Sequence, residues 1–171
     1  MIPVLTTERL TLRAPRQSDF AAHAAFKASD RADFVGGKTT EAEAWAHLCA
    51  LIGQWQLRGY GRWMLAETTT DRPMGIVGLH HPLDWPEPEI GWTVYAEGEG
   101  KGYAFEAATA ARDYAYRTLG WSTVASFVNP DNTRSVALAK RMRCRPDGVH
   151  HHAVHGPLHI WRHPAPSEVA A

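Results

Sequence analysis

Two cysteines in 171 residues leave little material for covalent stapling or thiolate metal binding. Cys49 and Cys144 lack the short spacing of a zinc site and sit in separate helical contexts, so a disulfide framework is not expected and both read as inert thiols. Long apolar runs are absent as well. No stretch approaches the roughly 20 residues that cross a bilayer, and the N-terminus M-I-P-V-L-T-T-E-R has no signal-peptide core. The expectation is a cytoplasmic protein with no membrane partner. Charge of one sign is also missing: 18 Lys and Arg balance 18 Asp and Glu, a formal net of zero with histidine neutral. No global field therefore draws the chain to nucleic acid, and a small or peptide-like partner fits better, with the protein a monomer or homodimer.

What is present fits one domain, because single cores persist to about 250 residues. Leu10 and Leu12 alternate with polar neighbours, the two-residue period of a half-buried strand that Pro15 closes. Ser18 is placed to cap a first helix ending near Ser29. Thr40 and Glu43 form a capping box, after which Trp45, Leu48, Ile52 and Trp55 recur on one helical face until Gly59. Strands are predicted at 62–67, 74–80 and 89–95 as an antiparallel meander. A helix over 103–119 carries Ala104, Ala108, Ala111 and Ala115 on one stripe and ends at Gly120. With a strand over 122–128 it makes a βαβ-like crossover. Asn132 caps a shorter helix to about Met142, and 148–154 with 158–161 pair as a terminal hairpin. The sum is a single-domain α/β fold with a mixed, mostly antiparallel sheet flanked by helices. The tail from Pro164 is expected to be disordered.

The most informative stretch is E-G-E-G-K-G-Y-A-F-E, residues 97–106, where three alternating glycines run into an alanine-rich helix. Backbone N–H groups at such a helix start, with no Cβ atoms in the way, form an anion site. The G-x-G-x-G of Gly98 to Gly102 suits a diphosphate. A dinucleotide fingerprint would need glycine at Tyr103, and a nucleoside-triphosphate loop would need G-K-S/T; neither is present.

What remains resembles the Q/R-x-x-G-x-G/A loop of the Gcn5-related N-acetyltransferases (GNAT), which holds the pyrophosphate of acetyl-CoA. T-E-R-L-T-L-R-A-P at 7–15, P-E-I-G-W-T-V at 88–94 and N-P-D-N-T-R-S-V-A-L-A-K-R at 129–141 follow the same order and spacing. Together they resemble the branch that includes the ribosomal-protein N-terminal acetyltransferases (RimJ/RimL-like), over about residues 5–163.

The resemblance implies an acetyl-CoA-dependent N-acetyltransferase, with acetyl-CoA as cosubstrate and a primary amine as acceptor, either a small molecule or a peptide N-terminus. Donor binding falls to Glu99, Gly100, Lys101, Gly102, Tyr103 and Ala104, with Lys101 as countercharge. Trp92, Thr93 and Val94 present strand-edge backbone to the pantetheine arm, and an amide of Thr93 or Val94 meets the thioester oxygen. Asn132 contacts the pantetheine and caps its helix. Glu89 is the leading base, with His80 or His81 as runner-up. The tyrosine acid of many relatives is replaced here by Ala139, so Ser135 is the substitute acid. Two further departures are Glu97, where the family has glutamine or arginine, and M-R-C at 142–144 where it has L-G-F. The second is expected to shift the helix end and the acceptor pocket.

Histidines 150, 151, 152 and 155 match no established zinc spacing, and no metal is expected. Lys140, Arg141, Arg143 and Arg145 form a basic cluster that reads as a solvated face or as a neighbour of the adenosine 3′-phosphate. Trp85, Trp92 and Trp161 are candidates to line an acceptor site. No residue is placed as an acyl-carrying nucleophile, so direct attack in a ternary complex is expected. The alternative is a non-catalytic acyl-CoA-binding or sensing module of the same fold; a histidine-based metal-binding protein ranks third.

Overall fold

The computed structural model describes residues 1–169. Its strands are β1 (Leu5–Thr6), β2 (Leu10–Arg13), β3 (Arg62–Glu67), β4 (Pro73–His80), β5 (Glu89–Val94), β6 (Ala125–Val128), β7 (Arg145–His152) and β8 (Gly156–Arg162). They make one sheet in the order β1-β2-β3-β4-β5-β6-β8-β7. β5 and β6 are parallel; their neighbours pair antiparallel, including the expected terminal hairpin of β7 and β8. A parallel pair needs a long crossover, which α3 (Tyr103–Arg117) supplies.

Side chains alternate across each strand, so two apolar layers form. Leu10, Leu12, Trp63, Leu65 and Ile90 face α3, whose Ala107, Ala108, Ala111 and Ala115 are fully buried. Small side chains there let the helix lie close on the sheet. Ala104, expected on that stripe, is half-buried beside a cleft, and Ala107 takes its place. On the other face Met64, Ile76 and Tyr95 pack against Phe26 of α1 (Phe20–Lys27) and Leu48 and Leu51 of α2 (Glu41–Arg58).

The Thr40–Glu43 capping box is present, and Gly59 ends α2 with the left-handed φ of 74° that favours glycine. The buried stripe of α2 differs from expectation, running through Ala44, Leu48, Leu51 and Trp55 while Trp45 and Ile52 lie exposed. Large apolar residues suggested the face; the small Ala44 permits closer approach and defines it. Before α1, Asp19 rather than Ser18 closes the turn, accepting from the Arg16 N–H at 2.8 Å and pairing with buried Arg13 at 2.8 Å. The expected disordered tail is ordered through α5 (Pro166–Val169). Glu168 accepts from the Ala165 N–H at 2.9 Å and pairs with Arg145, and Tyr116 donates to the Pro164 carbonyl at 2.8 Å. Residues 170–171 lie outside the described residues.

The feature that positions the site is the parallel pair, in which only Glu89 and Ala125 are in register. Beyond that rung β5 and β6 diverge, and side chains occupy the rungs the ladder lacks. Ser126 Oγ donates to the Ile90 carbonyl at 2.6 Å, and the Phe127 N–H donates to Glu89 Oε2 at 2.8 Å. The Tyr95 N–H bonds the Met74 carbonyl on β4. Alternation along β5 then turns the Thr93 amide toward β4 and the Trp92 and Val94 amides toward the opening.

Candidate active site

Gly100 and Gly102 adopt left-handed backbone, φ 74° and 79°. Gly102 is the N-cap of α3 and gives it no side-chain cap, so the first-turn N–H groups meet a cleft of about 270 Å³ with the positive end of the helix dipole behind them. Glu99, Gly100, Gly102, Tyr103 and Ala104 line it, together with Trp92, Thr93, Val94, Asn132 and Ser135. Lys101 does not. Its ammonium lies 5.6 Å from the Tyr103 ring centre, and its carbonyl accepts from Arg9 at 2.8 Å. The cations at this cleft are Arg31, Arg134 and Arg141. The Glu99 carboxylate bridges Arg31, at 2.5 Å, and Arg134. Nothing in the sequence tied Arg31 to this loop, because it arrives from the turn after α1. Glu97 is exposed on the preceding turn.

Asn132 caps α4 (Thr133–Arg141), its Oδ1 accepting from the Ser135 N–H at 3.2 Å, which leaves its amide hydrogens for the cleft. Ser135 Oγ accepts from the Trp92 indole N–H at 3.1 Å. An indole nitrogen only donates, so the Ser135 hydroxyl hydrogen is free to turn elsewhere.

Trp92, Thr93, Asn132 and Ser135 also line a second cleft of about 840 Å³. The two cleft walls thus meet at the divergence of β5 from β6. Glu89 lines the second cleft and is buried. Burial pushes its carboxyl up to about 7, against the opposing pull of the Phe127 N–H and the Arg62 charge. The Trp85 indole N–H, buried without a hydrogen-bond partner, lies near enough to favour the charged form as well. A carboxyl poised near neutrality in a cleft is suited to accept a proton.

Arg62 fixes a directional chain behind Glu89. Its Nη2 donates to His47 Nε2 at 3.2 Å. His47 Nδ1 must then carry its proton and donate to His23 Nε2 at 3.0 Å, and His23 Nδ1 in turn donates to the Tyr95 hydroxyl at 3.0 Å. Both imidazoles are neutral, since burial first and nearby cations second lower His47 to about 3 and His23 to about 4. Arg62 and His47 reach the cleft from β3 and α2, and sequence spacing held no sign of either.

His80 and His81 both reach the second cleft. Burial lowers both, His80 well below its usual value, which makes them weaker proton acceptors than Glu89. His81 Nδ1 lies 3.0 Å from the Tyr60 hydroxyl and 3.2 Å from Arg58. Trp85 and Trp92 line this cleft, whereas Trp161 is core. His152 Nδ1 accepts from the Val154 and His155 N–H groups and its Nε2 donates to Asp84 at 2.9 Å, so both nitrogens are occupied. His152 and His155 pack against Trp85, and His151 turns outward. Among the described residues no group of three or more His, Cys, Asp or Glu is arranged to hold a metal.

The M-R-C departure falls at the end of α4. Arg143 takes the left-handed φ of 63°, Met142 and Cys144 are buried, and the Cys144 N–H bonds the Ala139 carbonyl. An arginine at that φ bears strain where glycine would bear none.

The GNAT acetyltransferase domain model matches residues 9–145. The chain is similar to an acetyltransferase from Agrobacterium tumefaciens of known structure, 38% identical, with a TM-score of 0.88 over 96% of this chain and 95% of that one. It is 27% identical to the uncharacterized N-acetyltransferase YoaA of Bacillus subtilis, over 87% of this chain and 86% of that protein. The RimL ribosomal L7/L12 alpha-N-protein acetyltransferase, solved in complex with coenzyme A, shares the fold at 17% identity, with a TM-score of 0.77 over 94% of this chain and 97% of that one. With the match covering most of its length, the chain belongs to the GNAT family of acetyltransferases.

Proposed function

We propose that the protein transfers an acetyl group from acetyl-CoA to a primary amine, a small molecule or a peptide N-terminus, by direct attack in a ternary complex. The observation that carries this reading is the junction of two clefts at Trp92, Thr93, Asn132 and Ser135, one ending on an uncapped helix start and the other on a carboxyl held near 7. The first fits a diphosphate through the N–H groups of residues 99–104 and the flanking arginines. The pantetheine arm would lie along the open edge of β5 much as a peptide adds to a sheet, with Asn132 alongside.

In the step itself the amine nitrogen forms a bond to the acetyl carbon and the carbon–sulfur bond breaks. Glu89 takes the amine proton, directly or through water. The strand alternation favours Val94 over Thr93 as donor to the thioester oxygen, because the Thr93 amide turns toward β4. Ser135, held from behind by Trp92, gives its hydroxyl proton to the leaving sulfur and regains one from solvent. Neither cysteine suits an acyl carrier: Cys144 is buried with its thiol pushed up to about 12, and exposed Cys49 lines neither cleft.

An α-amine with pKa near 8 is roughly a fifth neutral at physiological pH and a lysine only about 0.1%, so α-amino acceptors are favoured. Thiol release from acetyl-CoA across a panel of amines tests the activity. Matched peptides offering an α-amine or only a lysine test the preference; a higher kcat/KM for the lysine would overturn it.

A further inference from the structure

The second cleft holds a guanidinium whose donors outnumber its partners. Arg62, at the start of β3, keeps its Nε shut off from solvent with no acceptor, and its side-chain bond among the described residues is the 3.2 Å one to His47. Buried Arg13 shows how this chain otherwise treats such a group: Asp19 receives it at 2.8 and 2.9 Å and Asp71 at 2.6 Å. Arg62 has no carboxylate in ion-pair contact among the described residues. Glu89 is near enough for its charge to be felt but makes no bond to the guanidinium, whose side-chain bond among the described residues goes to His47. Burial lowers Arg62 to about 10, which still leaves it charged at neutral pH. A planar, half-desolvated guanidinium with free donors is matched by a carboxylate, which accepts two parallel bonds.

The open space beside it places that carboxylate relative to the chemistry. A side-chain atom built on Gly91 would lie 3.9 Å from both Arg62 Cδ and Glu89 Oε1. Arginine arm and base therefore flank Gly91 on β5, and all three line the second cleft of about 840 Å³, which has room for a compact molecule. Resting on the acetyl-transfer reading above, we propose that the acceptor is a free amino acid, whose amine lies by Glu89 and whose own carboxylate is received by Arg62. A peptide N-terminus has that carboxyl tied up in an amide and leaves the guanidinium unmatched, which disfavours it here.

The test compares free amino acids with their own carboxamides in a thiol-release assay. A neighbouring carboxylate raises the pKa of an amine, so reactivity alone favours the carboxamide, and any preference for the acid reports binding. The wild-type protein is expected to prefer the acid by more than tenfold in kcat/KM, mostly in KM. Arg62→Gln should bring the ratio near one, and Arg62→Lys should keep part of it. Because acid and amide use the same base, a change in Glu89 caused by losing the Arg62 charge cancels in the ratio, and calorimetric CoA binding reports whether each variant folds. Equal rates for acid and carboxamide, or a preference that survives Arg62→Gln, would overturn the proposal. Acetylation of peptide N-termini with no free amino acid used would overturn it too while leaving acetyl transfer standing. No thiol release with any amine would sink both.

Discussion

Replacing Glu89 by glutamine separates the two consequences of burying this carboxyl. In the folded protein it titrates near 7, raised chiefly by desolvation from an ordinary value of 4.5. Because the folded state holds its proton more tightly than the unfolded chain, ionisation opposes folding. That cost is absent below the unfolded value, grows as pH climbs between the two, and is complete above about 7. At 1.36 kcal/mol per unit the full cost is about 3 kcal/mol. Glu89→Gln removes it while keeping a side-chain oxygen for the Phe127 N–H. Chemical denaturation should therefore find the variant and the wild type equally stable near pH 4.5, and the variant more stable by about 3 kcal/mol at pH 8. Activity moves the other way, with kcat falling on the order of 10² to 10⁴. In the wild type kcat/KM should rise with pH through a limb near 7, and the variant should lose that limb and keep only the one set by the acceptor amine. A stability difference that does not change between pH 4.5 and 8 would refute the buried, neutral carboxyl. A retained limb with full kcat would refute its role as base.

Gly102→Val places a β-branched residue at φ 79° beside the uncapped helix start and should weaken CoA binding more than tenfold by calorimetry; unchanged affinity in a folded variant would remove the diphosphate from this loop. Ser135→Ala should lower kcat on the order of 10² or more with CoA affinity unchanged, and full kcat would free Ser135 from the relay. Glu99→Gln withdraws the carboxylate that bridges Arg31 and Arg134, so CoA should bind more tightly and with steeper salt dependence; weaker binding would show that those arginines do not reach the phosphates. Arg143→Gly relieves the left-handed strain and should raise stability by about 1 kcal/mol in denaturant melts, an unchanged midpoint counting against strain there.

Local chemistry wrote most of the elements legibly. The Thr40–Glu43 box, Gly59 and Asn132 each act within a turn or two of themselves, and each stands where its spacing pointed. The glycine run was readable because glycine at a helix start has few other uses. Misreadings occurred where a distant contact decided the outcome. Trp45 and Ile52 have the size of core residues, but the buried face of α2 runs through Ala44 instead, and Lys101 has the charge of a counter-ion but lies against Tyr103 with its carbonyl held by Arg9. Arg31, His47 and Arg62 lie on separate elements and meet the site only through the sheet order, so no local pattern could mark them.

The divergence of β5 from β6 ties fold and chemistry together. A continuous parallel ladder would give the Phe127 N–H a backbone carbonyl and leave Glu89 a solvated strand-end residue. With one rung in register, Glu89 instead turns inward to satisfy that N–H, and the same inward turn strips its water and lifts its pKa. The vacated edge exposes the Trp92 and Val94 amides to whatever enters the gap, and Trp92 reaches across it to hold Ser135 on α4. Buried carboxyl, strand edge and hydroxyl are therefore set by one defect in sheet pairing. It follows that a substitution restoring the ladder near Ser126 would lower activity without touching any of the three.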